Sequence, residues 1–264
     1  MSPEQIPARS GVDGFVDAYL RAREREQWLV ADERVRSLPY PPRDDVHAAE
    51  WRRRADSARR LTHYLGAIDR PLAVWELGCG NGWLSARMAV LEHVEVVGVD
   101  VNVVELEQAR RVFGGRPRLR FREGDACRGG RLVDDLADGE TAVRPPDVIV
   151  LASVLQYIED PNQLLRDLLQ AVPQAEIHVL DTPIHRAADV AAARARTQRH
   201  YVSVGVEEMA THYFHHDGTV VAGLPHTVLY RPDTPWRAVE RRVLRRSRSP
   251  FPWVRIRSTP GASR

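Results

Sequence analysis

Two rhythms of apolar residues alternate along this chain. Continuous apolar runs ending in polar or glycine turns occur in VWELGCGNGWLS (74–85), VEVVGVD (94–100), RLRFREGDA (118–126), DVIVLASVLQYIED (147–160) and AEIHVLDTP (175–183). Ten-odd residues of helical pattern separate one run from the next, and that alternation predicts a parallel sheet with helices on both faces. Ahead of the first run, a helical pattern extends over 12–38 and stops at the breaker Pro39-Tyr40-Pro41-Pro42. A second helix is expected over 46–66, with Trp51, Ala55, Ala58, Leu61 and Leu65 on one face and Arg52, Arg53, Arg59 and Arg60 outside it. Residues 128–146 read as a helix with polar loops, and 186–201 as a further helix.

The first run carries the chemistry. Ala73, Val74, Trp75 and Leu77 form a short buried strand, Gly78, Cys79, Gly80, Asn81 and Gly82 a G-x-G-x-G turn, and Trp83 restarts a helix. A strand, glycine turn and helix in that order make a nucleotide site, because the backbone must turn sharply and lie close to the ligand. The third glycine comes one residue earlier than in the dinucleotide pattern G-x-G-x-x-G, and Glu76 stands two residues before the first. Both departures favour another nucleoside ligand. Asp100 ends the second strand eighteen residues after Gly82, close to where a nucleotide-binding βαβ unit places the acid that bonds the ribose hydroxyls.

This stretch resembles motif I of the class I S-adenosylmethionine (SAM) dependent methyltransferases, whose pattern is an acidic residue, any residue, then G-x-G-x-G. The resemblance covers roughly residues 50–185. It implies an α/β fold with a doubly wound, Rossmann-like, mostly parallel seven-stranded sheet, helices on both faces and N-terminal helices over the mouth of the site. It also implies SAM as cofactor, held by Glu76, Gly78, Cys79, Gly80, Asn81, Gly82, Asp100 and Val101, with Asp125 and Ala126 near the adenine and Ser153 beside the cofactor after the fourth strand.

Length and composition bound the rest. A chain of 264 residues with 43% hydrophobic content can bury one large core. The expected organisation is a helical cap over 1–66 and a SAM-binding domain over 67–264, with a helical, histidine-rich insertion at about 185–226. No stretch approaches the apolar length of a membrane span, and the first residues lack the apolar segment of a signal peptide, so a soluble cytoplasmic protein is expected. Cys79 and Cys127 have no C-x-x-C spacing, which argues against a disulfide framework and a cysteine zinc site.

All 38 basic residues are arginine, so catalysis through a lysine side chain is excluded. The net charge is +2, yet residues 231–264 hold ten arginines against Asp233 and Glu240. Arg241, Arg242, Arg245, Arg246 and Arg248 follow Trp236, Val239, Val243 and Leu244 at helical spacing, which reads first as a solvated helix with one buried face. A nucleic-acid substrate is disfavoured further. The loop ASVLQY lacks the N/D-P-P-Y/F and Pro-Cys signatures of DNA methyltransferases, and no aromatic-interleaved basic stretch occurs.

The acceptor side is expected after the fifth strand. Seven of the ten histidines lie between residues 178 and 226, with Tyr201 and Tyr213 among them. His178 alternates within a strand and reads as structural. His185 follows Asp181-Thr182-Pro183-Ile184 off the carboxyl end of the fifth strand, the edge where open α/β sheets bind ligands. Arg194 and Tyr201 share one helix face, and Arg196 and His200 a neighbouring stripe. HYFHH (212–216) lacks a carboxylate-rich partner motif, so no metal is assigned.

The expected reaction is in-line displacement at the SAM methyl group by an oxygen, nitrogen or carbon of a small metabolite. His185, then His200, would serve as base, with Tyr201 and Arg194 positioning the substrate. Three alternatives stay open: SAM binding with other chemistry such as a cyclisation, a non-catalytic methyltransferase partner subunit, and, last, an RNA methyltransferase. A homodimer is also left open.

Overall fold

The apolar runs become five parallel strands: β1 (Leu72–Leu77), β2 (Val94–Asp100), β3 (Leu119–Glu123), β4 (Val148–Ala152) and β5 (Glu176–Leu180). The computed structural model describes residues 10–138, 142–232 and 248–258. Two short strands, β6 (Ile184–His185) and β7 (His216–Asp217), pair with each other in parallel. The last two, β8 (His226–Tyr230) and β9 (Trp253–Ile256), join the main sheet in antiparallel sense, β9 against β5 and β8 against β9. The result is one seven-stranded, mostly parallel sheet in the order β3-β2-β1-β4-β5-β9-β8, as the resemblance implies.

Side chains of successive strand residues point to opposite faces, and both faces here are apolar. Leu72, Val74, Val94, Val96, Val148 and Val150 pack against α3 (Ala48–Gly66) through Leu61 and Leu65, and against α5 (Val103–Phe113) through Leu106, Ala109 and Phe113. Trp75, Leu77, Val97, Val99, Ile149 and Leu151 pack on the other side against α6 (Gly130–Ala137) and α7 (Pro161–Ala171), which supply Leu132, Leu164, Leu165 and Leu168. Burial on both faces is why these strands read as apolar runs rather than alternating ones. Leu61 and Leu65 are fully buried. Truncating such a leucine to alanine costs about 2–5 kcal/mol, so α3 is firmly fastened to the sheet.

The helical pattern over 12–38 divides into α1 (Ser10–Arg25) and α2 (Asp32–Ser37). Gln27 takes a left-handed conformation with φ 60. Its N–H donates to Glu24 O at 3.0 Å and that of Trp28 donates to Arg23 O at 2.7 Å, the closing pattern usually built on glycine. The helix over 186–201 begins later, as α8 (Val190–Ser203), after a 3-10 turn over Ala187–Asp189. The arginine-rich helix read between Trp236 and Arg246 lies outside the described residues. No helix among the described residues is long and apolar enough to cross a membrane.

From β1 the chain steps outward through β2 and β3, then returns to place β4 on the other side of β1. A doubly wound sheet opens its crevice at this reversal, outside the carboxyl ends of the strands. That edge holds Gly78, which follows β1, Asp100, which ends β2, Ser153, which follows β4, and Asp181, which follows β5.

Candidate functional site

The glycine turn is rigid by construction. Gly78, Gly80 and Gly82 all have positive φ. A β-carbon on Gly82 would stand 2.5 Å from the Phe121 ring, and one on Gly78 would stand 2.4 Å from Val154 Cγ2. Gly78 N–H and Cys79 N–H both donate to Val99 O, at 2.7 and 3.0 Å, which ties the turn to β2. Gly82 then caps α4 (Trp83–Met88).

Asp100 organises the adjoining backbone. Its Oδ2 accepts from Gly80 N–H at 2.7 Å and its Oδ1 from Asn102 N–H at 2.8 Å. Asn102 caps α5 by accepting from Val104 and Glu105 N–H. Glu76 lies behind the turn, 3% exposed, accepting a hydrogen bond from Ser85 Oγ. Burial is the main cause that pushes Glu76 up to about 8 and Glu105 up to about 7, and it also raises Asp100. Three buried carboxyl groups facing one crevice suit a ligand that brings positive charge.

A cavity of about 230 Å³ opens over this edge. Its floor is Gly78, Gly80, Asp100 and Val101, one end is Asp125, Ala126 and Cys127, and its roof is Val12, Phe15 and Tyr19 of α1 together with His212. Asp125 holds its end by accepting from Cys127 N–H at 2.8 Å. A second, more polar cavity continues from it past Glu76, Cys79 and Asn81, with Arg23, Arg54, Trp51 and Trp83 around it. Both cavities share Tyr19, Gly78, Gly80, Glu105, Ser153 and Tyr157, so they form one groove along the sheet edge. Three buried polar atoms in its polar half have no partner among the described residues: Asn81 Oδ1, Gln156 Oε1 and Arg23 Nε. Buried polar groups are normally paired, and a bound ligand would supply the missing partners.

The two guanidinium groups are held by aromatic faces. Arg23 lies 4.7 Å from the Trp28 ring centroid, and Arg54 lies 5.3 Å from both Trp28 and Trp51. Trp28 is in turn stacked on His47 at 3.7 Å.

A third, wider cavity of about 370 Å³ opens beyond Ser153, Gln156, Tyr157 and Asp181. Trp28, Tyr201, Tyr213 and Phe251 supply aromatic walls, Glu26, Glu50, Arg54 and Arg196 supply charge, and His200 stands beside them. Tyr157 separates it from the groove, with its ring 5.7 Å from those of both Tyr19 and Tyr213. His200 Nε2 is 2.5 Å from Glu26 Oε1 across the rim.

Ten of the eleven residues expected around a cofactor line this groove. Gly82 lines neither cavity and acts through the turn, and Ala126 opens a 3-10 turn capped by Asp125. The four acceptor-side residues divide. His200 and Tyr201 line the wide cavity. Arg194 is exposed two turns earlier on α8, and His185 sits in β6 with its ring 5.7 Å from that of His215. Neither lines any of the three cavities. A seven-residue spacing keeps one helix face but moves about 10 Å along the axis, so Arg194 shares Tyr201's face without sharing its surroundings.

The HYFHH histidines are also dispersed. His212 lies edge-on to Phe15, His215 Nε2 is 2.8 Å from Thr197 Oγ1, and the Nε2–H of His216 donates to Leu155 O at 2.9 Å. His178 is fully buried in β5, accepting at Nδ1 from Trp253 Nε1 at 3.0 Å. Arg23, Arg54 and Glu105 are not legible as site residues, since each looks like an ordinary helix charge until the helices are folded over the sheet, and Asp181 reads only as the strand-end residue ahead of His185.

Residues 75–174 match the family model described as a methyltransferase domain. Over 103 residues, 39% of this chain, the sequence is 26% identical to a malonyl-[acyl-carrier protein] O-methyltransferase from Halalkalibacterium halodurans. The chain covers 35% of that relative's length. Among solved structures it is similar to magnesium protoporphyrin IX methyltransferase from Synechocystis PCC 6803 with bound SAH, with a TM-score of 0.54 and 13% identity over 95% of this chain and 100% of that one. It is also similar to an O-methyltransferase family protein from Burkholderia thailandensis, with a TM-score of 0.52 and 13% identity over 97% of this chain and 75% of that one. The fold is thus that of these methyltransferase structures, and the match to the methyltransferase family model is confined to residues 75–174.

Proposed function

We propose that this chain is a SAM-dependent methyltransferase that moves a methyl group to an oxygen, nitrogen or carbon of a small metabolite. The observation that carries this reading is the single groove along the carboxyl edge, which runs from Asp125 past Asp100 and the glycine turn to Arg54 and opens into the aromatic cavity. Bound SAM supplies a methyl group already activated by a positively charged sulfur.

The residues fit such a donor. Asp100 keeps a free lone pair on each oxygen for the two ribose hydroxyls, because its backbone partners use only one apiece. Asp125 and Ala126 bound the adenine end, as they line the far wall of the cavity. At the other end, Arg23 and Arg54 offer fixed positive charge to a carboxylate, while Asn81 Oδ1 and Gln156 Oε1 offer acceptors to an ammonium group. Glu76, Asp100 and Glu105 place carboxyl groups around the path of the sulfonium. Helix α1 roofs the groove through Phe15 and Tyr19 and so excludes water.

The wide cavity receives the acceptor. Its aromatic walls fit a planar or apolar body, and Arg196 at its edge fits an anionic substituent. His200, oriented by Glu26, stands at the rim and there binds the acceptor. Incubation with SAM labelled on its methyl group and fractionated small-metabolite extracts tests the reading. Label should pass to a small product, with S-adenosylhomocysteine (SAH) formed in equal amount. Turnover of an extract component that leaves SAM unchanged would refute methyl transfer.

A further inference from the structure

The residue at the exact meeting point of donor groove and acceptor cavity is one that no motif marks. Asp181 follows β5 and lines both spaces. Its backbone is left-handed, φ 50, and so is that of Ser153 beside it at the end of β4, φ 59. Ser153 Oγ donates to Asp181 O at 3.0 Å, locking the two strained turns together. Non-glycine residues held this way cluster at functional sites because the surrounding structure must enforce them.

The carboxylate is held on one side only. Ser57 Oγ of α3 donates to Asp181 Oδ1 at 2.6 Å, and Ser249 Oγ donates to the same oxygen at 2.9 Å. Oδ2 has no hydrogen-bond partner among the described residues, although Asp181 borders two cavities. A fixed carboxylate with one saturated and one open oxygen is built to receive a hydrogen from a ligand.

We infer that Asp181 is the group that accepts the proton of the methyl acceptor, and that the acceptor atom is therefore a hydroxyl or amine. This rests on the proposed methyl transfer. Six residues line both the polar half of the groove and the acceptor cavity: Arg23, Arg54, Ser153, Gln156, Tyr157 and Asp181. The arginines are protonated at neutral pH, burial pushes the Tyr157 phenol up so that it keeps its proton, and serine and glutamine are poor bases. Asp181 is the one carboxylate among them. Burial raises its carboxyl from the ordinary range, a change that makes it a better base than an exposed aspartate. In the transfer, the acceptor's lone pair forms a bond to the methyl carbon. The methyl–sulfur bond breaks with its pair going to sulfur, and the proton leaves the acceptor for Oδ2.

The test needs no knowledge of the acceptor. Sinefungin is a SAM analogue in which an aminated carbon replaces the methylated sulfur, so its ammonium occupies the place of the transferable methyl group; SAH has nothing there. Binding of both to the full chain is measured by calorimetry, in wild type and in Asp181→Asn. Asparagine keeps an acceptor for Ser57 and Ser249 and tolerates a left-handed backbone well, so the variant should fold, which a melting curve checks. Wild type should bind sinefungin more tightly than SAH. Asp181→Asn should weaken sinefungin by about tenfold or more, as loss of a charge-assisted contact does, and leave SAH within about twofold.

Equal losses for both ligands, or no loss for either, overturn the assignment of Asp181 and leave SAM binding intact. A wild type that prefers SAH overturns it as well, whatever the variant does. A wild type that binds neither ligand overturns the SAM reading, and this inference with it.

Discussion

Replacing Asp100 by asparagine changes one oxygen to an NH2 group and almost nothing else in shape. Both carboxylate oxygens already serve backbone donors, Gly80 N–H at 2.7 Å and Asn102 N–H at 2.8 Å. With a single acceptor oxygen, asparagine must present its NH2 to a backbone N–H or to a ribose hydroxyl, and its remaining bonds are no longer charge-assisted. Hydrogen bonds to charged groups contribute about 1.5–3 kcal/mol and neutral ones about 0.5–1.5. Losing one of the former and downgrading another gives about 2–4 kcal/mol, or roughly a 30- to 700-fold rise in the SAH dissociation constant.

Thermal unfolding gives an independent reading. At an SAH concentration of about 100 times the wild-type dissociation constant, the ligand stabilises the wild type by about 2.7 kcal/mol, a rise of roughly 5–11 °C for a domain of this size. A variant weakened about 100-fold gains only about 0.4 kcal/mol at the same concentration, close to 1 °C. Titration calorimetry and melting curves should agree. An asparagine variant that binds SAH within about twofold of wild type would refute the placement of the ribose at Asp100.

Three further outcomes are expected. Gly82→Ala forces a β-carbon against Phe121 in a left-handed turn, which should destabilise the fold by about 2–5 kcal/mol in urea unfolding; an unchanged midpoint would contradict the packing described. Arg54→Met should weaken SAH roughly tenfold while leaving 5′-methylthioadenosine, which lacks the amino-acid end, unaffected; equal effects on both ligands would remove Arg54 from the carboxylate end. Burial raises the Glu76 carboxyl to about 8, so the folded chain holds a proton there that the unfolded chain releases near its ordinary value of 4.5. Stability conferred by that proton is complete below about pH 4.5 and is lost as the pH rises towards about 8. Wild type should therefore lose stability relative to Glu76→Gln between about pH 5 and pH 8 in urea titrations, and parallel pH profiles would show that Glu76 is not protonated in the folded state.

Much of the fold can be read from burial on both faces. β2 spans the same residues, 94–100, that the apolar run marks, and β1 begins one residue before the apolar run that starts at Ala73. The helix α3 was visible from Leu61 and Leu65, though Asp56 and Ser57 are buried on it as well. Their burial answers in part to distant partners: Arg248 pairs with Asp56 beside its helix neighbours Arg59 and Arg60, and Ser57 serves Asp181. No local pattern reports such pairings. The break at Gln27 was hidden for a different reason, because a glutamine carries no signal for a left-handed turn.

The site was legible where its geometry is local. Glu76 to Gly82 and Asp100 are ordered by one β1–α4–β2 unit, so spacing alone positions them. The acceptor side is assembled from α1, α3, α8 and the ends of β4 and β5, and here proximity in sequence misleads. His185 follows β5 by five residues, yet the chain turns it into the small β6–β7 sheet. Asp181, one residue beyond β5, stays at the edge.

Trp28, Trp51 and Trp83 form a staircase along the groove, with neighbouring ring centroids 5.6 and 5.7 Å apart. Trp51 and Trp83 border the donor groove and Trp28 the acceptor cavity, whereas Trp75 and Trp253 are sealed in the core. The staircase makes the protein its own optical gauge. A ligand displacing water at either end should alter the light emitted by indoles that exchange excitation with one another, over the steadier emission of Trp75 and Trp253. On the proposed reading, donor and acceptor would be followed arriving in turn, in unlabelled protein.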